Sequence, residues 1–180
     1  TGAGVITLVV GLGMQSLISD VVAGLVIVFE NDFNVGDIIT VGDFRGTVTS
    51  IGIRTTKLEA RGNVKIINNS EIRGVLNQTK NLSTALSEIS VSYGEDLPKV
   101  EEIIKNRIKY LNIEGAVGDV VYEGVKELGS SSVLLLFSVQ CKECDIFAVT
   151  RRMNRELKVM FDENGIEIPF EQIVVHNGDN

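Results

Sequence analysis

Two short stretches of this 180-residue chain carry residue types that could do chemistry. Gly11-Leu12-Gly13-Met14-Gln15-Ser16 nearly matches the G-x-G-x-x-G turn, whose glycines let backbone N–H groups approach a pyrophosphate. Val5–Val10 would be the strand before that turn and Leu25–Phe29 a second strand. Glu30, 19 residues after Gly11, would meet the ribose. Against this site stand Ser16 in the third glycine's place and the next 40 residues, which are Gly-punctuated β and not the strand–helix alternation a dinucleotide fold needs. Cys141-Lys142-Glu143-Cys144 places two thiols at a strand-to-helix junction, where a helix N-terminus can lower a thiol pKa. There is no second Cys pair and the single His is His176, so Cys and His alone cannot assemble a four-ligand zinc site within one subunit. Two ordinary loop cysteines are the simpler reading. His176 has no Ser/Asp or Cys/Asp grouping that would make it catalytic. Arg151, Arg152 and Arg155 read as a solvated helix face, and three Asn-x-Ser/Thr sequons (at Asn68, Asn77 and Asn81) matter only in a secreted compartment.

The N-terminal stretch offers a physical rather than a covalent chemistry. No charged residue occurs from Gly2 to Ser19, and Asp20 is the only charge before Glu30. A run of that length suits a membrane-crossing helix. No basic segment precedes it and no cleavage-type stretch follows, so a signal peptide is not expected. A chain opening on Thr1 reads as a piece of something longer, with upstream spans outside it. On a helix, Gly4, Leu8, Gly11, Leu12 and Gln15 fall on one face. Small residues let copies of such a helix approach closely, and rings of Leu8 and Leu12 could close a pore by expelling water. A buried core helix or strand is the third reading of this segment, beside the membrane helix and the dinucleotide loop.

The rest of the sequence must position or serve that segment. Hydrophobic residues make up 44% and aromatics 6%, with 18 Gly and no Trp, so the apolar weight lies in Val, Ile, Leu and small residues. Net charge is −7 and uneven. Residues 30–84 hold seven Lys/Arg against six Asp/Glu, whereas residues 85–180 hold ten against seventeen. The mildly basic segment therefore adjoins the apolar run, the side expected toward a cytoplasmic leaflet, and the acidic C-terminal half argues against nucleic acid. From Asp37 to Asn68, short β-type runs (Ile38–Val41, Thr47–Ile51, Ile53–Leu58, Val64–Ile67) separated by Gly turns predict a small all-β barrel or sandwich. A short helix capped by Ser70 is expected to run to Arg73, followed by a polar linker from Asn77 to Ser83. Next come a strand over Leu86–Tyr93 with Ile89, Val91 and Tyr93 on one face, and a helix over Asp96–Tyr110 with Pro98 in its first turn. Strands over Val120–Leu128 and Val133–Val139, a helix from about Asp145 to Asn164 stopped by Gly165, and a last strand Ile173–Val175 complete a βαββαβ order, the ferredoxin-like split arrangement.

With these residues laid out, the chain resembles the mechanosensitive channel of small conductance (MscS) family over nearly its whole length. The resemblance is carried by Gly11 through Gly24, then Phe33-Asn34-Val35-Gly36-Asp37, Gly46-Thr47-Val48 and Ile51-Gly52-Ile53-Arg54-Thr55-Thr56. Gly62 through Asn69, Asn77, Tyr93-Gly94 and Glu127-Leu128-Gly129-Ser130-Ser131 continue it in order. It implies a membrane-protein fragment of α+β class in four parts. These are a pore-lining transmembrane helix (1–29), a small all-β, Sm-like barrel domain (30–84), a ferredoxin-like α/β domain (85–170) and a C-terminal barrel strand (171–180). The implied protein is a homo-heptamer in the cell (inner) membrane, multi-pass in full length, with its C-terminal domain cytoplasmic. It would open under bilayer tension and release ions and small solutes on osmotic downshock, with no catalysis, cofactor, metal or nucleic acid. On the family pattern Leu8 and Leu12 match the constricting leucines, and Gly4 and Gly11 the helix-packing positions. Gln172, Ile173, Val174, Val175 and His176 match the barrel strand. Ser16 stands where the family often has Gly after Gln15, so a bend is expected at Gly13 or Gly24. Asn68 replaces the Pro of an Ile-Pro-Asn turn, leaving it less rigid. A dinucleotide-binding enzyme fragment and a membrane-tethered ligand-binding module are the alternatives from other classes.

Overall fold

A computed structural model describes the backbone of residues 2–170 and the side chains from Leu8 onward. The expected strand Ile173–Val175 and the residues Gln172–His176 lie outside the described residues. The chain divides into two compact units, one up to Asn81 and one from Leu82.

The first unit opens with helix α1, Gly2–Glu30. Its sequence is rich in Gly and β-branched Val and Ile, which are poor helix formers in water. In a bilayer those preferences yield to a stronger demand, since each N–H and C=O must bond within the segment. Asn31, at φ 55°, ends the helix. Five strands follow, β1 (Ile38–Val41), β2 (Phe44–Ile51), β3 (Thr55–Ala60), β4 (Asn63–Asn68) and β5 (Leu76–Asn77). They pair antiparallel in the order β4-β3-β2-β1-β5. Arg61 and Gly62, both at positive φ, turn β3 into β4, as a tight two-residue hairpin requires.

Two strand starts in this unit lie two or more residues from the sequence expectation. β2 begins at Phe44 rather than Thr47, because Gly46 can lie in a strand whose partner is very close: a Cβ there would meet the Glu59 carbonyl at 2.9 Å. β3 begins at Thr55 rather than Ile53, because Gly52 N donates to Thr55 O at 2.8 Å and closes a turn over Ile53 and Arg54. The segment after β4 is a single 3-10 turn, Asn69–Glu71, and does not continue to Arg73. Asn68 occupies its N-cap position, and the Ser70 side chain is used elsewhere. The core of this unit is Phe33, Ile39, Val41, Val48, Leu58 and Ile67, joined by Ile27 from α1.

In the second unit the order is β6 (Ser83–Val91), α2 (Leu97–Arg107) with a 3-10 turn Ile108–Tyr110, β7 (Ala116–Leu128), β8 (Val133–Cys141) and α3 (Ile146–Glu163). The sheet order is β6-β8-β7, with β8 antiparallel to both neighbours. Strand residues Ile89, Val91, Leu135, Phe137 and Val139 and helix residues Val100, Ile104, Val149, Met153, Leu157 and Phe161 form one core. The three- and four-residue spacing on α3 sets those side chains on one stripe. Phe137 lies at its centre, with ring centroids 5.4 Å from Tyr122 and 6.2 Å from Phe161. Gly165, at φ 68°, follows the last turn of α3 as expected. Tyr93 departs from the prediction: β6 stops at Val91, and Tyr93 is exposed with its hydroxyl donating to Gly129 O at 2.7 Å. Both helices cover the same face of the sheet, and the opposite face is open. Truncating the central ring, Phe137→Ala, should lower unfolding stability by about 3–5 kcal/mol, read as an earlier denaturant midpoint. An unchanged midpoint would mean that this ring is not central to the core.

A candidate pore helix and its anchor

Helix α1 changes character along its length. From Leu8 to Ser16 the described side chains are exposed, with Leu8 at 62% and Leu12 at 65%. Gly4, Leu8, Gly11, Leu12 and Gln15 share a face as the spacing predicts. The helix runs unbroken through Gly13, Gln15, Ser16 and Gly24. That continuity overturns the dinucleotide reading: Val5–Val10 and Leu25–Phe29 are helical, so no strand precedes the Gly11–Ser16 segment and no phosphate loop forms. The exposure of Leu8–Ser16 equally removes the buried-core reading. Residues 8–30 form a helix long and apolar enough to cross a membrane.

The second half of α1 is fastened to the β-sheet unit. Asp20 is 2% exposed, and its carboxylate accepts hydrogen bonds from the Ser70 hydroxyl and from Ser70 N. Arg54 stands 3.7 Å from its other oxygen. One turn on, Gly24 lies so close to the β2–β3 turn that a Cβ would meet Asn69 Nδ2 at 2.5 Å and Ile53 O at 2.6 Å. Asn69 holds that turn: its amide donates to Gly52 O at 2.9 Å and Ile53 O at 3.0 Å, and its oxygen accepts from Thr56 Oγ1 at 2.9 Å. Ile27 then enters the core of the unit. Asp20, Gly24 and Ile27 thus form one stripe of contact.

Sequence reasoning reached the exposed face of α1 but missed this anchor. A signal was present, since a lone charge in an apolar helix requires a partner, yet no spacing rule says that the partners are Arg54 and Ser70. Gly24, expected as a bend, carries a close-packing demand that the sequence did not suggest.

The other candidates scatter. Cys141 is buried at the end of β8 and Cys144 is exposed, both as free thiols. Burial, and then the nearby Glu143 carboxylate, push the Cys141 thiol up, the opposite of an activated cysteine. Among the described residues, no group of three or more His, Cys, Asp or Glu is placed to hold a metal. Arg152 pairs with Glu114 at 3.2 Å and Arg155 with its neighbour Glu156, while Arg151 is exposed.

The site is thus a helix of membrane-crossing length and composition whose second half is seated on a small antiparallel β unit. Residues 16–84 match the family described as "Mechanosensitive ion channel, beta-domain". The small-conductance mechanosensitive channel of Caldanaerobacter subterraneus subsp. tengcongensis is 31% identical over 96% of this chain and 62% of its own length. The large-conductance mechanosensitive channel MscMJLR of Methanocaldococcus jannaschii is 31% identical over 94% of this chain and 50% of its own. The crystal structure of Helicobacter pylori MscS in its closed state superposes with a TM-score of 0.86 at 25% identity, over 100% of this chain and 73% of that one. The chain belongs to the MscS family. It spans less than two thirds of the length of either curated relative.

Two outcomes follow from the site. Replacing Gly24 with Ala puts a methyl group where Asn69 and Ile53 already stand, so α1 must lift from the turn. Amide exchange at Gly52–Thr56 should rise and the thermal midpoint fall; unchanged exchange would contradict the close contact. A maleimide should label Cys144 in the native protein and reach Cys141 only after denaturation, and rapid labelling of both would show that Cys141 is accessible.

Proposed function

We propose that this chain is the pore helix and cytoplasmic portion of an ion channel that opens under bilayer tension and releases ions and small solutes on hypo-osmotic shock. The observation that carries the reading is the split surface of α1, exposed and apolar around Leu8 and Leu12 and pinned to a folded unit at Asp20, Gly24 and Ile27. An apolar surface of that kind needs lipid or other helices around it. Several copies packed through Gly4 and Gly11 would turn Leu8 and Leu12 into two rings about 6 Å apart at 1.5 Å rise per residue. A narrow leucine ring gives water no hydrogen bonds and so strips a passing ion of its shell. Tension favours whichever state occupies more membrane area, and Gly13, Gln15 and Ser16, which precede the anchored Gly24, are the proposed points of bending.

Assembly as a homo-heptamer is part of the same proposal. The five-stranded sheet ends in β4, an edge with Val64 and Ile66 exposed at 55% and 61%. Such an edge is a template for another chain, and β5 offers the opposite edge of the same sheet. A contact between two different edges generates a ring where the rotation between copies closes. Within it, residues 30–84 would be the Sm-like domain and 85–170 the ferredoxin-like domain, with α1 in the inner membrane and these domains in the cytoplasm. Gln172–His176 would close the base as a small barrel.

Patch recordings test the gate. Leu12→Ser in the full-length protein places hydroxyls in the throat, so the opening threshold should drop or the closed channel leak, and Leu8→Ser should act likewise. If both variants gate at the parent tension without leak, these leucines are not the gate.

A further inference from the structure

The turn between β2 and β3 meets α1 at one definite level. The uncharged run Gly2–Ser19 is 18 residues long. At 1.5 Å per residue it rises about 27 Å, close to the ~30 Å of hydrocarbon in a bilayer. Asp20 ends that run, and Arg54 in the turn lies 3.7 Å from its carboxylate. One helical turn on, a Cβ at Gly24 would meet Ile53 O at 2.6 Å. If hydrocarbon continued to Glu30, about 15 Å further along the helix, the half-exposed Arg54 guanidinium would stand inside it. A charge in that setting is costly.

The tip of the turn combines apolar exposure with satisfied backbone groups. Ile53 is 75% exposed, on a turn closed by Gly52 N donating to Thr55 O. The Asn69 amide donates to both Gly52 O and Ile53 O, so neither carbonyl is left unpaired if water is displaced from the tip. Arg54 faces Asp20 with one edge of its guanidinium and has donors to spare. A single exposed Ile is ordinary on a protein surface; its level beside Asp20 is what assigns it a partner. At a bilayer boundary an apolar side chain reaches acyl chains while a neighbouring Arg reaches phosphates.

We propose that the β2–β3 turn rests on the bilayer surface, with Ile53 inserted between headgroups and acyl chains and Arg54 turned to a lipid phosphate. This rests on the membrane reading of α1 above, and it sets the hydrocarbon boundary near Asp20. The partner is the phospholipid layer itself, whose phosphates are common to every phospholipid headgroup. A change in the packing of that layer reaches the turn directly, and through Arg54 and Asn69 the anchored part of α1.

The test places a fluorescent probe at the tip. This chain has no Trp, so Ile53→Trp adds one indole, read in liposomes as the difference from the full-length parent. Phospholipids brominated near the headgroup end of the acyl chain should quench it, and those brominated toward the chain terminus less. Aqueous iodide should quench it less than Tyr110→Trp, at an exposed position of the second unit. Quenching by iodide alone would show the tip in water and overturn the proposal. Shielding from both quenchers would mean that another copy or another part of the full-length protein covers the turn, which overturns it equally. Stronger quenching by the deeper bromines would place the turn inside the hydrocarbon and refute the boundary at Asp20. A protein that does not float with liposomes would remove the membrane reading itself, a distinct failure.

Discussion

A single carboxylate governs how the first unit is built. Asp20 lies in an otherwise uncharged stretch of α1 and is almost entirely removed from solvent. Burying an ion without donors costs several kcal/mol even after relaxation, so the chain must bring donors to it. It does so from two distant places, Ser70 in the turn after β4 and Arg54 in the β2–β3 turn. Those turns must therefore meet at one point on the helix. The buried Asn69 holds them there by bonding to Gly52, Ile53 and Thr56. Gly24 is the steric counterpart of the same requirement, since any larger side chain would hold the helix away from the carbonyls that Asn69 has gathered.

That anchor gives α1 two halves with different physics. The half after Asp20 is part of a folded unit, with Ile27 in its core, and its backbone position is set by hydrogen bonds and packing. The half before it has an apolar surface and no contact of comparable kind among its described side chains. Its conformation answers to whatever surrounds it, lipid or neighbouring helices, and a change in those surroundings acts on a rod whose far end is fixed. In the proposed channel this is how a change in membrane tension would reach the folded unit. The strength of the link depends on a handful of polar contacts, which have directional geometry and so resist rotation as well as separation.

The features read well from sequence are those that depend on local periodicity. The 18-residue uncharged run, the Gly-separated strands and the stripe of Val149, Met153 and Leu157 on α3 each declare themselves within one element. The features that were missed depend on contacts across tens of residues. Ser70 could be read as a helix cap from its neighbours, yet its hydroxyl serves Asp20, 50 residues away. Tyr93 continued the alternation of Ile89 and Val91, yet its hydroxyl found Gly129 and the strand ended two residues earlier. In both cases a local pattern lost to a hydrogen bond that only the fold creates. The face of Leu8 and Leu12 was legible because helical spacing alone defines it; the anchor of Asp20 was not, because no spacing does.

The two motifs that look most chemical in the sequence show the same distinction. Gly11-Leu12-Gly13 and Cys141-Lys142-Glu143-Cys144 each match a pattern whose power comes from its setting, a strand-to-helix loop in one case and an exposed electropositive helix start in the other. The first setting is absent, and in the second only Cys144 is exposed. The glycines lie inside a continuous helix, where no phosphate loop forms, and in the proposed assembly their missing side chains would let another helix approach. The cysteines are divided by burial, with the inner thiol raised in pKa by its surroundings. Conversely the strand carboxylates Glu88, Asp119, Glu123 and Glu127 match no motif at all, being spread over β6 and β7 at irregular spacing. It is the sheet, and the bulges that shift register between Val117 and Val121 and between Tyr122 and Gly124, that bring them to a single face. Charge at that face is a property of the topology, and a reading confined to local spacing sees only an acidic C-terminal half.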